Sequence, residues 1–153
     1  LTLADRPAQL EAQAVSTGLM DILLPVKDGA ALGRAVQDER TVTALSRRYG
    51  VVGVHMFCLG DAPGVTARCR NFAPLYAIPE EAATGTSNGA LTDYLYRRGL
   101  VCPGGENRFL QGEAMGKPSE ILSRLTDTDG KVRSGVRCWG SEPADPVSLE
   151  NHL

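Results

Sequence analysis

Residues 86–98 carry a helical apolar stripe of Ala90, Leu91, Tyr94 and Leu95, while the runs on both sides read as β-strands; this constrains the fold more than any other feature. Gly99 supplies the stop for that helix. Strands come in runs with helices inserted between them, which points to an α+β architecture instead of an alternating parallel one. A lone helix bracketed by strands can be wrapped by a curved, mixed, barrel-like sheet.

The strand reading rests on local signals. Residues 12–17 and 20–26 are extended and joined at Gly18, and residues 51–58 and 65–72 form a hairpin across L-G-D-A-P-G. Residues 28–36 and 39–49 switch to helical spacing, with Val42, Leu45 and Tyr49 as the second helix's stripe, Asp38 as its N-cap and Gly50 as its stop. That predicts a helix pair lying against a sheet. Residues 73–83 read as a loop; residues 107–114, 119–126 and 131–139 read as strands, the last two joined by Thr128-Asp129-Gly130.

Bulk properties exclude several classes. A chain of 153 residues fits one domain, 1–153, and a domain of that size buries about 68–70% of its unfolded surface. Net charge of −2 without a Lys/Arg block argues against nucleic acid or acidic lipid as partner. No apolar run reaches the ~18 residues that a spanning helix needs, so no membrane segment is expected. Cys58, Cys69, Cys102 and Cys138 lack C-x-x-C spacing and form no ligand set with His55 and His152, so no structural metal site is expected, and reduced thiols in the cytoplasm are a simpler reading than two disulfides. The start at Leu1 reads as a chain with something missing in front.

The chemistry-bearing strings cluster. A-T-G-T-S at residues 83–87 opens the helix: Thr84 or Thr86 can cap it, Gly85 admits a ligand close to the backbone, and the free N–H groups suit a small carboxylate. The bland alternative is an ordinary cap worth about 1 kcal/mol. Glu80 and Glu81 are either acids ahead of a helix N-terminus or, for Glu81, a proton-handling group. Ser16 and Thr17 in V-S-T-G can offer hydroxyls, or simply end a strand. In Q-G-E-A-M-G-K-P-S, Gln111 can face a cleft or serve a structural role, Gly112 and Gly116 permit a bulge or tight approach, Pro118 marks an edge or strand start, and Glu113 and Lys117 are solvated. His55 reads as a satisfied core or edge histidine.

Three strings, R-N-F-A-P, E-E-A-A-T-G-T-S and Q-G-E-A-M-G-K-P-S, follow one another between Arg70 and Ser119. In that order they resemble the second half of the PhzF-like phenazine-biosynthesis isomerase family, and the resemblance extends over residues 5–139. It implies a diaminopimelate-epimerase-like domain, the second of two similar domains with the reaction site between them. It also implies a cofactor-independent proton shift in which the amides of the family's T-G-S hold the substrate carboxylate. Here Glu81 stands where the family has Asp, Ala82 where it has Pro, and Thr86 where it has Ser. Thr84, Gly85 and Thr86 would bind substrate, with Ser16, Thr17 and Gln111 nearby and Glu81 as the catalytic carboxylate. The family's principal acid/base glutamate belongs to the first domain, so an N-terminal domain or second chain is the implied partner. Related epimerases place a cysteine just before this turn; Ala82 and Ala83 stand there, so two-thiol racemisation is not supported. The competing expectation is a non-catalytic homodimeric small-molecule binding module, pairing through a large apolar face.

Overall fold

Strand pairing collects the β-runs into one nine-stranded sheet with the order β1-β2-β3-β4-β6-β7-β8-β9 and β5 attached to β4. The computed structural model describes residues 1–128, 131–139 and 149–150. The elements are β1 Gln13–Ser16, β2 Met20–Pro25, α1 Gly29–Arg34, α2 Glu39–Tyr49, β3 Val54–Leu59, β4 Ala67–Ala73, β5 Ile78–Glu81, α3 Gly85–Arg97, β6 Glu106–Gln111, β7 Ser119–Thr128, β8 Lys131–Trp139 and β9 Leu149–Glu150. Pairings β2–β3 and β4–β6 are parallel and the others antiparallel, so the sheet is mixed. The β7–β8 hairpin is as expected, but Asp129 and Gly130 of its turn lie outside the described residues.

The sheet curls around α3, as the sequence predicts. Registers Leu23↔His55, His55↔Asn71, Phe57↔Cys69, Cys69↔Gln111 and Phe109↔Ile121 place these residues on one face. The apolar members, Leu23, Phe57, Cys69, Phe109 and Ile121, pack on Leu91, Tyr94 and Leu95 of α3. Burying each such aliphatic or aromatic side chain contributes about 1.5–3 kcal/mol, which offsets the modest helix propensity of a segment holding Gly, Thr and Asn. The Tyr94 ring meets Phe57 edge-on at 5.6 Å and its hydroxyl donates to the Glu11 carbonyl at 2.7 Å. Leu100 N–H to Leu95 O and Gly99 N–H to Tyr96 O close the helix at Gly99, in the left-handed region.

The opposite face of the sheet packs on the helix pair. Leu24, Val26, Met56, Cys58 and Phe72 meet Ala31, Leu32 and Ala35. Arg70, also on this face, donates to both carboxylate oxygens of Glu80 at 2.8 and 2.9 Å and to the carbonyls of Leu32 and Ala35 at the end of α1. The second helix begins and ends as expected, with the Asp38 carboxylate accepting from the N–H groups of Arg40 and Thr41 and Gly50 left-handed. Its stripe differs: Tyr49 is 57% exposed.

Two further expectations are corrected. Residues 73–83 are not a loop: Pro74–Tyr76 make one 3-10 turn, and Ile78–Glu81 form β5, pairing Asn71↔Glu81 and Ala73↔Ile78 across a bulge. The strand expected over residues 107–114 stops at Gln111, because Gly112 at φ 81° turns the chain into a 3-10 turn at Glu113–Met115. Glu113, expected to be solvated, is exposed but accepts from Arg68 Nη1 at 2.6 and 2.7 Å.

Three surface carboxyls are held below their usual value of 3.8. Asp5 is lowered chiefly by the Thr2 N–H, Asp38 by the Thr41 hydroxyl, and Asp61 by Arg68. A depressed folded-state pKa means that their stabilisation is complete above pH 3.8 and is lost as pH falls through the lower folded values. The urea midpoint should therefore drop below that pH, and Asp38→Asn, which keeps the cap but not the charge, should make the drop shallower. An unchanged acid limb in the variant would contradict the assignment for Asp38.

Candidate functional site

Strand β4 forks, and the fork builds the site. Its first half pairs with β6 (Cys69↔Gln111) and its second half with β5 (Asn71↔Glu81), so the ends of β5 and β6 meet beside the start of α3. Above the apolar layer, the inward positions turn polar: Asp21, His55, Asn71, Gln111 and Ser119 are all buried, as are Thr84, Ser87 and Asn88 at the helix start. Alternation along β5 sends Glu80 outward to Arg70 and Glu81 inward to this layer.

One hydrogen-bond chain joins the layer. Gln111 is fully buried; its Nε2 donates to the Glu81 carbonyl (2.7 Å) and to Thr84 Oγ1 (2.9 Å), and its Oε1 accepts from Asn88 Nδ2 (2.9 Å). Thr84 Oγ1 donates to Glu81 Oε2 at 2.8 Å, and Asn71 Nδ2 approaches the same oxygen at 3.4 Å. Asn88 Nδ2 also donates to the Thr84 carbonyl at 2.8 Å, and Asn88 Oδ1 faces His55 Nε2 at 3.3 Å and Cys69 Sγ at 3.4 Å. On the far side, Ser87 Oγ donates to Asp21 Oδ2 at 2.5 Å, while Asp21 Oδ1 has no partner among the described residues although Asp21 is only 3% exposed.

The consequence for α3 is an uncapped start. Thr84 is the N-cap residue, but its hydroxyl is engaged by Glu81 and Gln111, and among the described residues no side chain accepts from the first helical N–H groups. Gly85 and Thr86 are half-buried and Ser87 is buried, with the positive end of the helix dipole behind these N–H groups. Such an end can take a carboxylate.

The structure thus brings Glu81, Thr84, Gly85, Thr86 and Gln111 together. Thr17 joins them through its hydroxyl, which donates to the Thr86 carbonyl at 3.2 Å and tethers the β1–β2 turn to the helix. Ser16 is exposed, and its hydroxyl accepts from the Gly18 N–H at 3.2 Å. Of the two readings of Gln111, the structural one matches its place: it lies under the helix start with both ends of its amide committed to protein groups. His55 lies in the core, as read.

Sequence reasoning missed Asp21, Asn71, Ser87 and Asn88. A signal existed for Asp21, an acid interrupting the apolar run of residues 20–26, and for Asn71 between the apolar positions of β4. Burial drives the His55 ring below its usual range, opposed by its bonds to Asn71 and Asn88 and by the Asp21 charge. Burial likewise raises the thiols of Cys69, Cys58 and Cys138. Among the described residues no group of three His, Cys, Asp or Glu could hold a metal, and no helix is long and apolar enough to cross a membrane.

Comparison with known proteins agrees with this architecture. The family model described as phenazine biosynthesis-like protein, PhzC-PhzF, matches residues 1–141. An uncharacterized isomerase of Deinococcus radiodurans is 38% identical over 126 residues, 79% of this chain and 40% of that protein. The trans-2,3-dihydro-3-hydroxyanthranilate isomerase of Pseudomonas aeruginosa is 39% identical over 77 residues, 50% of this chain and 27% of that protein. Among solved structures, a PhzF-family phenazine biosynthesis protein of Bacillus anthracis superposes with a TM-score of 0.80 at 19% identity, covering 97% of this chain and 52% of that one. A predicted epimerase of Pseudomonas aeruginosa gives 0.62 at 30% identity, covering 93% and 46%. The chain therefore spans less than half the length of the curated relatives it matches.

Proposed function

The chain belongs to the phenazine biosynthesis-like protein family, and on that premise we propose that it supplies the carboxylate-binding wall of a cofactor-independent proton-shift site. The observation that carries this reading is the diverted cap: Thr84 orients Glu81 instead of closing the helix, which leaves the N–H groups of Gly85, Thr86 and Ser87 for the carboxylate of a small acid. Gly85, lacking a side chain, lets that group approach the backbone.

Glu81 handles the proton. Its Oε2 is fixed by Thr84 and Asn71, and the half-buried carboxyl sits beside the proposed carboxylate position. The substrate carbon next to an electron-withdrawing centre loses or gains its proton opposite a second carboxylate, which another domain or chain contributes. Leu19, Tyr76 and Ile78, exposed apolar residues close in sequence to Thr17 and Glu81, support a covering surface there.

The test is exchange in D2O. A dihydro-aromatic amino acid should take up solvent deuterium when the chain is joined to its complementary domain, and Glu81→Ala should slow uptake by about 10²–10⁴-fold. Uptake by Glu81→Ala at the wild-type rate would remove Glu81 from the reaction. The second reading, a non-catalytic homodimeric binding module, draws on the same apolar residues and requires a reversible dimer in sedimentation with no exchange.

A further inference from the structure

The donors and acceptors between Glu81 and His55 do not balance when the carboxyl is ionised and the imidazole is neutral. Backbone carbonyls fix two of the amides: Gln111 must point its NH2 at the Glu81 carbonyl (2.7 Å), and Asn88 must point its NH2 at the Thr84 carbonyl (2.8 Å). Asn88 Oδ1 then faces His55 Nε2, which must carry a hydrogen. Asn71 has no such anchor. Its amide lies between His55 Nδ1 (3.0 Å) and Glu81 Oε2 (3.4 Å).

With Asn71 Oδ1 toward the ring, Nδ1 must also carry a hydrogen, so His55 is an imidazolium and Glu81 a carboxylate. With the amide reversed, Nδ2 donates to an unprotonated Nδ1, and Oδ1 faces Glu81, which must then be a carboxylic acid donating to it. Both arrangements hold the same number of protons and the same net charge. A neutral imidazole beside an ionised Glu81 sets two lone pairs against each other around the buried His55 and Asn71 side chains.

We propose that His55 and Glu81 hold one proton between them, with the Asn71 amide turned according to which of the two carries it. The role rests on the reading of Glu81 as the proton-handling group, and it makes Asn71 and His55 positioning residues for it. Other titratable groups bear on the balance. Asp21 on β2 favours the imidazolium, burial favours the neutral ring, and the thiols of Cys69 on β4 and Cys138 on β8 stay protonated because burial raises them. Ser87, from α3, holds Asp21 in place.

Nitrogen-15 spectra of the imidazoles, with carbon-13 spectra of the Glu81 carboxyl, read the proton count directly at pH 7. The chain has two histidines, so His152→Gln assigns His55. The expected result is either an imidazolium with a carboxylate or a neutral Nε2–H ring with a carboxylic acid; a neutral ring beside an ionised Glu81 overturns the proposal. In Glu81→Gln the new amide N–H replaces the carboxylic O–H, and His55 should stay a neutral Nε2–H tautomer throughout the folded pH range. An imidazolium in that variant at neutral pH also overturns it. These spectra are taken without substrate, so they stand whether or not deuterium exchange is found, and the wild-type spectrum decides even if the variant misfolds.

Discussion

Replacing Gly112 with alanine is expected to abolish stable folding. The residue sits at φ 81°, and an added Cβ would lie 2.1 Å from the Lys117 carbonyl oxygen and 2.9 Å from that of Ala82. Both are backbone atoms, and the Lys117 N–H closes the turn on the Gly112 carbonyl at 3.0 Å, so neither contact can open without losing the turn. The left-handed conformation alone costs a non-glycine residue about 1–2 kcal/mol. Separating the β6–β7 turn from the segment that carries Glu81 should raise the loss to roughly 4 kcal/mol or more, a large part of the ~5–15 kcal/mol that holds a domain together. Gly116 is the control. It is also left-handed, at φ 66°, but a Cβ there meets nothing within 4 Å, so Gly116→Ala should show only the conformational cost. Equal shifts of the urea midpoint for the two variants would contradict the close approach at Gly112.

Asn88→Ala should be the most damaging change within the polar layer. Asn88 is fully buried, and truncation removes the partners of Gln111 Oε1, His55 Nε2 and the Cys69 thiol together, leaving the Thr84 carbonyl only the backbone N–H of residue 88. Each buried group left without a partner costs about 1–3 kcal/mol, so a loss of at least 3 kcal/mol is expected even if a water fills part of the space. The damage should reach Glu81, since Gln111 holds both the Glu81 carbonyl and Thr84 Oγ1. A denaturation shift below 1 kcal/mol would show that the network contributes little.

Much of the scaffold was legible because its signals are local. The stripe of α3, the Asp38 and Gly50 boundaries of α2, and the β3–β4 and β7–β8 hairpins each follow from period, cap or turn chemistry. What was illegible depends on pairing. Strand β5 is four residues long, contains Pro79 and pairs only with β4, so residues 73–83 looked like a loop. The family motifs identified the right stretch of chain, but they left Gln111 between a cleft-facing and a structural role, and only the β4–β6 register reveals that it faces inward. The same registers are needed to see that Asp21, His55 and Asn71 share a layer with the helix start. The N-cap expectation for Thr84 was correct in position and wrong in use, because Glu81 and Gln111 compete for its hydroxyl.

The central claim is that the N–H groups at the start of α3 hold a carboxylate. Titrating the protein with a small aromatic carboxylate and with its neutral carboxamide, while following backbone amide resonances, tests it most directly. The account predicts saturable shifts confined to Gly85, Thr86, Ser87 and their contacts, produced by the carboxylate and not by the carboxamide. Equal responses to both compounds, or shifts scattered over the surface with those amides unmoved, would contradict it.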